Sequence, residues 1–270
     1  MKNLYEITHR TVEAPSNKNF MLHIHDNYEI FLFLEGDTKY IIEENVYSLS
    51  PGDLIVIRKN QMHRAYHNTP TRYSRFVLNV APEFFAEQRC SEYEADFANP
   101  PSGVGAKIDA ETVKMSGIYD AFMRLGEYMK TNQSEDSPIV KSVIVEILYL
   151  INNIESYSKE DTSDNQLKSV IQYINRNFEK NITLDMLEKK FFISKYHLCH
   201  IFLKSTGLTV HQYITSKRLA LALELIKSGK SITQAASLAG FSSYSSFFRG
   251  YKKLYGSSPK QVKKQGGVFE

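Results

Sequence analysis

The chain has 270 residues, 42% of them hydrophobic, which is enough for one or two domains with a sizeable core. Its net charge of +3 conceals an asymmetry. From Gln166 onward there are 17 Lys and Arg against 5 Asp and Glu, a net charge of +12, whereas the remainder has 16 against 25, a net charge of −9. This asymmetry predicts a polyanion-binding module joined to a module with a different task.

Composition also argues against several classes of protein. Cys90 and Cys199 have no spacing typical of a zinc site or a disulfide framework, so we expect a reducing compartment. The first ten residues lack the apolar run of a signal peptide. The longest apolar run, Val143 to Ile151, is interrupted by Glu146 and is shorter than the ~20 residues of a membrane span. We therefore expect a soluble, cytoplasmic protein with no membrane partner.

Residues 1–105 have the pattern of a β domain. Short segments of alternating polarity are separated by turn signals rich in Gly, Pro, Asn and Asp. The predicted strands are Phe20–Ile24, Tyr28–Leu34, Thr38–Glu43, Val46–Leu49, Leu54–Ile57 and Tyr73–Val80. Many short strands at this spacing indicate a sandwich or a small barrel.

One segment of this β domain, from His23 to Gly36, resembles the first motif of the cupin superfamily: His-x-His, three residues, Glu, six residues and Gly. Gly52, Asp53 and His63 resemble the second motif, although residues 58–60 depart from its usual Pro and Gly. The resemblance implies a jelly roll that encloses a ligand site.

Four polar residues are the candidates for that ligand site. His23 and His25 are two apart on a predicted strand, so both rings face one side. With Glu29 and His63 they could hold a divalent metal. They could equally bind a small polar ligand directly, or pack as hydrogen-bonded core residues. We assign them as ligand-binding, with no required cofactor and a metal as the alternative. Aromatic residues of matching parity would suit a sugar or another small polar ligand.

Helical periodicity replaces the strand pattern from Ala110 to Tyr157. One apolar stripe covers Val113–Leu125, and a second begins at Pro138 and extends to Ile154. We expect one helix to cover the β domain and the other to be completed by a second subunit, which makes residues 106–158 a dimerisation or connecting segment. The polar residues 159–165 are typical of a linker.

Residues 166–270 begin with a predicted helix from Leu167 to Phe178 and then contain one supersecondary unit twice. In the first unit, Thr183 and Ser194 are the predicted N-caps of two short helices. Leu198 and Phe202 belong to the apolar stripe of the second of these helices. Four side chains point away from that stripe: Tyr196, Cys199, His200 and Lys204.

The second unit repeats this layout about fifty residues later. Ser231 is the predicted N-cap of its first helix, and Gly240 stands where the chain must leave that helix through a left-handed residue. Phe247 and Tyr251 are expected inside, whereas Tyr244 suits either the core or an outward position. Two short helices around a glycine turn have the form of a helix-turn-helix. The opposite face of the second helix carries Ser245, Arg249 and Lys252.

A long predicted helix from Val210 to Ser228 separates the two units. At 1.5 Å per residue it spans ~28 Å. This length is close to the ~34 Å between successive major grooves on one side of B-DNA. One chain could therefore place two recognition helices in adjacent grooves.

Residues 166–270 resemble the DNA-binding domain of AraC/XylS-type transcriptional regulators. The residues that carry the resemblance are Leu184, Ser194, Leu198, Phe202, Gly207, Tyr213, Arg218, Ala222, Ile232, Ala236, Gly240, Phe241, Ser242, Phe247, Arg249, Lys252, Gly256 and Pro259. Glu188 and Phe192 depart from the usual small residues, and Lys263 from the frequent Arg. Leu203 replaces a Lys, which would remove one phosphate contact from the first unit.

The resemblance implies an α+β protein with a cupin-like β-sandwich or jelly roll, a helical extension and an all-α domain with two helix-turn-helix motifs. We expect residues 1–105 to sense an effector, residues 159–165 to link the domains and residues 166–270 to bind DNA. The implied function is sequence-specific transcription regulation. The expected partners are double-stranded DNA, a small-molecule effector, a second copy of the chain and RNA polymerase.

The resemblance implies base-reading positions at Tyr196, Cys199 and His200 in the first unit and at Tyr244, Ser245, Ser246 and Arg249 in the second. Arg249 is the strongest candidate for base recognition, because an Arg fork pairs bidentately with guanine. Candidate phosphate contacts are Lys195, Lys204, Arg218, Lys252 and Lys253. RNA or an anionic membrane would also suit a basic surface, but neither requires paired helix units. The alternative function is a metal-dependent cupin enzyme with an accessory nucleic-acid-binding domain. That alternative gives the duplicated helices no specific role, so we assign no catalytic residues.

Overall fold

A computed structural model describes residues 4–17, 19–20, 22–43, 45–98, 106–131, 137–154 and 165–255. The described residues form eight strands. In chain order they are β1 (Tyr5–Val12), β2 (Tyr28–Glu35), β3 (Thr38–Ile42), β4 (Asn45–Ser48), β5 (Leu54–Ile57), β6 (His63–His67), β7 (Tyr73–Val80) and β8 (Lys107–Ile108). They make a five-stranded sheet in the order β1-β7-β2-β5-β8 and a three-stranded sheet in the order β4-β3-β6. The predicted linker, apart from Asn165, lies outside the described residues.

Strand prediction succeeded where apolar residues alternate and failed where polar residues are buried. β1 and β6 contain several charged or polar residues and were not predicted, although β6 is mostly buried. The predicted strand Phe20–Ile24 is wrong, because only His23 forms an isolated bridge, with His63. Leu22 and Ile24 are buried against the carboxyl-terminal domain instead of extending the sheet.

Two apolar layers lie on the two faces of the larger sheet. The inner layer fills the space between the sheets and includes Phe31, Phe33, Tyr40 and Tyr73. The outer layer joins the larger sheet to five helices: α1 (Pro82–Glu87), α2 (Ser91–Ala98), α3 (Ala110–Met115), α4 (Ile118–Lys130) and α5 (Pro138–Asn152). The sequence did not predict α1 and α2.

The helical segment packs on the β domain with both of its longer helices. Gly117, with φ of 83°, divides the first predicted stripe into α3 and α4. Six apolar residues of α5 are buried in the same layer as those of α4: Val140, Val143, Ile144, Ile147, Leu148 and Ile151. The apolar face of α5 is therefore filled within the chain, contrary to the expectation that a second subunit completes it.

The carboxyl-terminal domain consists of α6 (Asn165–Asn177), α7 (Leu184–Phe191), α8 (Lys195–Thr206), α9 (Val210–Lys227), α10 (Ile232–Leu238) and α11 (Tyr244–Tyr255). The predicted caps are present: Thr183 accepts a hydrogen bond from the backbone of Met186, Ser194 from His197 and Ser231 from Gln234. Each cap satisfies an N–H that the first turn of a helix leaves unpaired. None of the helices in the described ranges is long and apolar enough to cross a bilayer.

Two departures from the family pattern have clear positions. Phe192 is the C-cap of α7, with φ of 52° and its ring 92% exposed, so a bulky residue occupies a left-handed position that favours glycine. Glu188 does not disturb packing. Its Oε1 accepts a hydrogen bond from the backbone N–H of Lys195 at 3.1 Å, at the amino end of α8, where the helix dipole favours an anion.

Candidate ligand site and nucleic-acid interface

The four predicted ligand-site residues lie together. His23, His25, Glu29 and His63 each offer a ligand atom, and these atoms lie within 4.8 Å of one another. The backbones of His23 and His63 exchange two hydrogen bonds, of 3.1 and 3.0 Å. Glu29, on β2, and His63, on β6, are buried. The cluster therefore joins the two sheets at one end of the sandwich.

Hydrogen bonds orient the two rings nearest to Glu29. The Nδ1 atom of His25 lies 3.1 Å from the carbonyl oxygen of Asn27, and that of His63 lies 2.8 Å from the carbonyl oxygen of Gln61. Because a carbonyl only accepts, each Nδ1 carries a proton. Both Nε2 atoms therefore face the Glu29 carboxylate, His25 at 3.1 Å and His63 at 3.5 Å.

The charges of this cluster reinforce one another. Burial alone would raise the pKa of Glu29, but the charge of His63 and the hydrogen bond of His25 hold that pKa well below its usual range. Burial lowers the pKa of His25, yet the hydrogen bond and charge of Glu29 outweigh it and raise the pKa. Tyr40 donates its hydroxyl to the other carboxylate oxygen of Glu29 at 3.0 Å.

The donor set fits a first-row divalent cation. Three imidazoles and one carboxylate are ligands that zinc accepts, and rings whose Nδ1–H is fixed by a carbonyl are typical of metal-bound histidine. The buried Nε2 of His63 has no hydrogen-bond partner among the described residues, as expected of an atom with a ligand role. A bound metal would supply a Lewis acid that polarises a ligand oxygen.

We expect the tag-free chain to bind about one equivalent of Zn²⁺ in isothermal titration calorimetry and to gain thermal stability on binding. His25→Ala should weaken the Zn²⁺ affinity roughly 10-fold or more. Loss of a residue that only hydrogen-bonds to a metal ligand already has an effect of that size, and His25 would be a ligand itself. His211→Ala removes an exposed histidine from α9 and is the matched control. Binding that is absent, or unaffected by His25→Ala, would leave the cluster as a hydrogen-bonded network.

The candidate base-reading residues of the first unit are on the outside of α8. Tyr196 is 86% exposed, and Cys199, His200 and Lys204 are exposed as well. Leu198 and Phe202 face the opposite side and are fully buried. The helix therefore presents to solvent the face that the sequence predicts.

The recognition helix of the second unit, α11, likewise buries its apolar face and exposes its polar face. Ser245, Arg249 and Lys252 are exposed on α11, Ser246 is half-buried, and Phe247 and Tyr251 are fully buried. Tyr244 is 40% exposed, so it is not the core residue that its spacing allowed. Arg249 and Ser246 also line a cleft of about 590 Å³ between α9 and α11.

Two of the five candidate phosphate contacts are engaged within the protein. Lys195 pairs with Asp185. Arg218 donates to the carbonyl oxygens of Phe178 and Lys180, at 2.6 and 2.8 Å, and so fastens the end of α6 to α9. Arg218 therefore holds the domain together rather than facing outward. Lys204, Lys252 and Lys253 remain exposed.

The two domains share an interface, whose residues the sequence did not indicate. Leu22, Ile24 and Met62 of the β domain belong to the same apolar cluster as the buried side chains of α6, α7, α8 and α9. Leu22 and Ile24 flank His23, and Met62 precedes His63. The residues next to two members of the histidine cluster therefore contact the DNA-binding domain.

A buried ion pair lies beside this apolar contact. Glu43 accepts a hydrogen bond from Lys217 Nζ at 2.8 Å and one from the Tyr213 hydroxyl at 2.5 Å. The same carboxylate accepts from the backbone N–H of Met62 at 2.7 Å. The side chains of Glu43 and Lys217 are only 9% and 12% exposed. Two further contacts, Asn60 with Glu224 and Asp26 with Lys227, extend the interface along α9.

Comparison with known proteins supports both halves of this description. Residues 10–148, more than half of the chain, match a family model described as an AraC-like ligand binding domain, and residues 187–265 match a helix-turn-helix domain model. The chain is 26% identical over 245 residues to the probable transcriptional regulator LumQ of Photobacterium leiognathi, with 90% of this chain and 92% of LumQ covered. It is 25% identical to the transcriptional activator RhaS of Yersinia pestis, with 93% and 92% covered.

Among solved structures, the chain is similar to ToxT from Vibrio cholerae O395. The match covers 99% of this chain and 100% of ToxT, with 16% identity and a TM-score of 0.39. A structure of the AraC-like transcriptional activator CuxR matches over 88% of this chain and 82% of CuxR, with 15% identity and a TM-score of 0.40.

Proposed function

Because the chain belongs to the AraC family of transcriptional regulators, we propose that α8 and α11 read an operator sequence and that the histidine cluster belongs to the effector site that controls this binding. The observation that supports the proposal best is that the two recognition helices have the same pattern of buried and exposed residues. In each, the apolar stripe of the recognition helix is buried and the polar residues that match the family's base-reading positions are exposed.

The charge distribution supports the same function. The carboxyl-terminal part carries the net positive charge, and Lys204, Lys252 and Lys253 are exposed on or beside the recognition helices. Cations at these places neutralise phosphates, whereas residues such as Arg249 contact base edges. The division between phosphate and base contacts yields both affinity and sequence preference.

The domain interface offers a route for effector control. The histidine cluster and the interface share neighbouring residues: Leu22 and Ile24 on either side of His23, and Met62 beside His63. A ligand that prefers one arrangement of these residues shifts the population of docked domains, and thus the orientation of α9 and the two recognition helices. We propose this population shift as the mechanism.

We propose that the chain acts as a homodimer in the cytoplasm, contacts RNA polymerase at its promoters and has no enzymatic activity. The relatives named as regulators support a non-enzymatic role. A dimer would double the operator contacts in the manner of other two-fold symmetric DNA-binding proteins.

Selection of bound sequences from random DNA duplexes, repeated at two salt concentrations, tests the function. We expect a sequence preference and a steep fall in affinity with salt. Arg249→Ala should weaken binding to the preferred DNA sequence by about 1–3 kcal/mol, and it should relax the base preference at one position of that sequence. Lys252→Ala should weaken binding to all DNA sequences by a similar factor. It should also reduce the slope of log affinity against log salt concentration by about 1.

Arg10→Ala is the matched control for these variants, because Arg10 is an exposed residue of the β domain. Its DNA affinity should equal that of the wild type. Binding without sequence preference in the wild type would contradict the proposed function, whatever the variants do.

A further inference from the structure

A second polar cluster lies between the two sheets, near enough to the histidine cluster for the charge of Glu29 to act on its Tyr73. Tyr73 and Arg75 are two apart on β7 and therefore face the same side of the sheet. That side is the inner one, because Tyr73 and Val77 belong to the layer between the sheets. The ring of His67, on β6, lies 4.4 Å from the ring of Tyr73. Three polar residues thus meet inside a mainly aromatic layer.

Each residue of this cluster has a buried polar atom without a hydrogen-bond partner among the described residues. These atoms are Tyr73 Oη, Arg75 Nη1 and His67 Nε2. Tyr73 is completely buried and His67 is 4% exposed. Leaving a buried polar group unpaired costs free energy, and native proteins rarely do so without a reason. Three such atoms lie together here, and a ligand could pair with them.

Arg75 gives this cluster a positive charge. Arg75 contacts aromatic rings, with its guanidinium carbon 5.5 Å from the centre of Phe20 and 4.9 Å from that of Tyr73, and the described residues place no carboxylate in an ion pair with it. Glu29 is engaged by His25 and Tyr40. Burial, followed by the charges of Arg75 and Arg64, lowers the pKa of His67 to about 4, so His67 is neutral at pH 7.

We propose that Tyr73, Arg75 and His67 bind the carboxylate of a small organic acid, and that this acid is the effector in the function proposed above. A guanidinium and a phenol hydroxyl can both donate to a carboxylate, and Arg is the side chain best suited to bidentate recognition of that group. Arg75 is the cation whose guanidinium lies over Tyr73, and it can balance the single charge of a monocarboxylate. The rings of Phe20 and Phe33 suit an apolar body.

Phe20 contacts every member of this cluster. Its half-buried ring lies 4.4 Å from that of His67 and 5.5 Å from that of Tyr73, and it covers the Arg75 guanidinium. A carboxylate bound to Arg75 would compete with this ring for the guanidinium. Phe20 is two residues before Leu22, which is buried in the domain interface. Displacement of the ring would thus be transmitted to the DNA-binding domain.

Thermal unfolding of the full chain with matched ligands tests the proposal. The probes are benzoate, phenylacetate and hexanoate, their three amides, and the neutral sugars D-galactose and L-rhamnose. We expect at least one carboxylate to raise the Tm while its amide and the sugars do not. Arg75→Gln should weaken binding of that carboxylate roughly 10-fold or more in calorimetry.

Tyr73→Phe separates a ligand contact from a structural role. Removal of an unpaired buried hydroxyl should leave the Tm without ligand unchanged or higher, yet weaken carboxylate binding. A variant that only disturbs packing would lower the Tm. Arg72→Gln is the control, because Arg72 is exposed and already paired with Glu13 and Glu35.

Two outcomes overturn the proposal: every carboxylate behaves like its amide, or the gain in Tm persists in Arg75→Gln. A gain produced by a sugar alone would likewise replace the carboxylate with a neutral effector. Because sequence-selective DNA binding is measured separately, failure of the carboxylate leaves the regulator function intact, whereas loss of that DNA binding contradicts the regulator itself.

Discussion

Lys217→Met lowers the free energy of unfolding by about 3–5 kcal/mol, which is the expected result of breaking a buried ion pair from one side. The substitution keeps the aliphatic stem of the side chain but removes the cation that faces Glu43. The Glu43 carboxylate then retains only hydrogen bonds from Tyr213 and the backbone of Met62. Urea denaturation of the full chain measures the change.

Lys227→Met provides the matched control on the same helix. Lys227 pairs with Asp26, but their side chains are 31% and 41% exposed, so the change should cost only about 0–1 kcal/mol. A double-mutant cycle with Glu43→Gln isolates the energy of the buried pair. Equal, small effects of both Lys variants would show that the domains do not dock through Glu43.

Gly240→Ala is expected to destabilise the chain by about 3 kcal/mol or more and to abolish sequence-selective DNA binding. Gly240 has φ of 89°, and a methyl group there would lie 2.2 Å from the carbonyl oxygen of Glu179. Because the obstacle is backbone at the end of α6, the second helix-turn-helix unit must move away from that helix. Thermal unfolding and operator titration measure the two effects.

Gly229→Ala distinguishes this clash from backbone strain alone. Gly229 has φ of 96°, and a methyl group there would meet nothing within 4 Å. Its substitution should therefore cost only the strain of a left-handed alanine, about 1–2 kcal/mol, and leave DNA binding intact. Similar losses in both variants would contradict the role given to the close approach of Gly240 and Glu179.

The carboxyl-terminal domain could be predicted from sequence because its signals are local. A cap such as Ser231 and the N–H that it satisfies are three residues apart, and the left-handed turn at Gly240 requires a single residue type. Strands with polar residues gave weaker signals. The sequence of β6, HRAYH, is mostly polar, yet four of its five residues are buried.

Contacts between the domains could not be predicted in this way. Glu43 and Lys217 are 174 residues apart, and neither belongs to a recognisable motif. The histidine cluster was predictable because its spacing matches a known motif, whereas Tyr73 and Arg75 lie in a correctly predicted strand that matches no motif. A charged residue at an inward position of an apolar strand was the available signal.

The alternation of Leu22, His23 and Ile24 limits how the chain can be recombined. Joining residues 1–164 to an unrelated DNA-binding domain would leave Leu22, Ile24 and Met62 without their apolar neighbours and Glu43 without a cation. Such a chimaera would expose an apolar surface and would at the same time lose its response to effector. Under the proposed mechanism, the two halves are not interchangeable modules, and a change of DNA specificity has to preserve this interface.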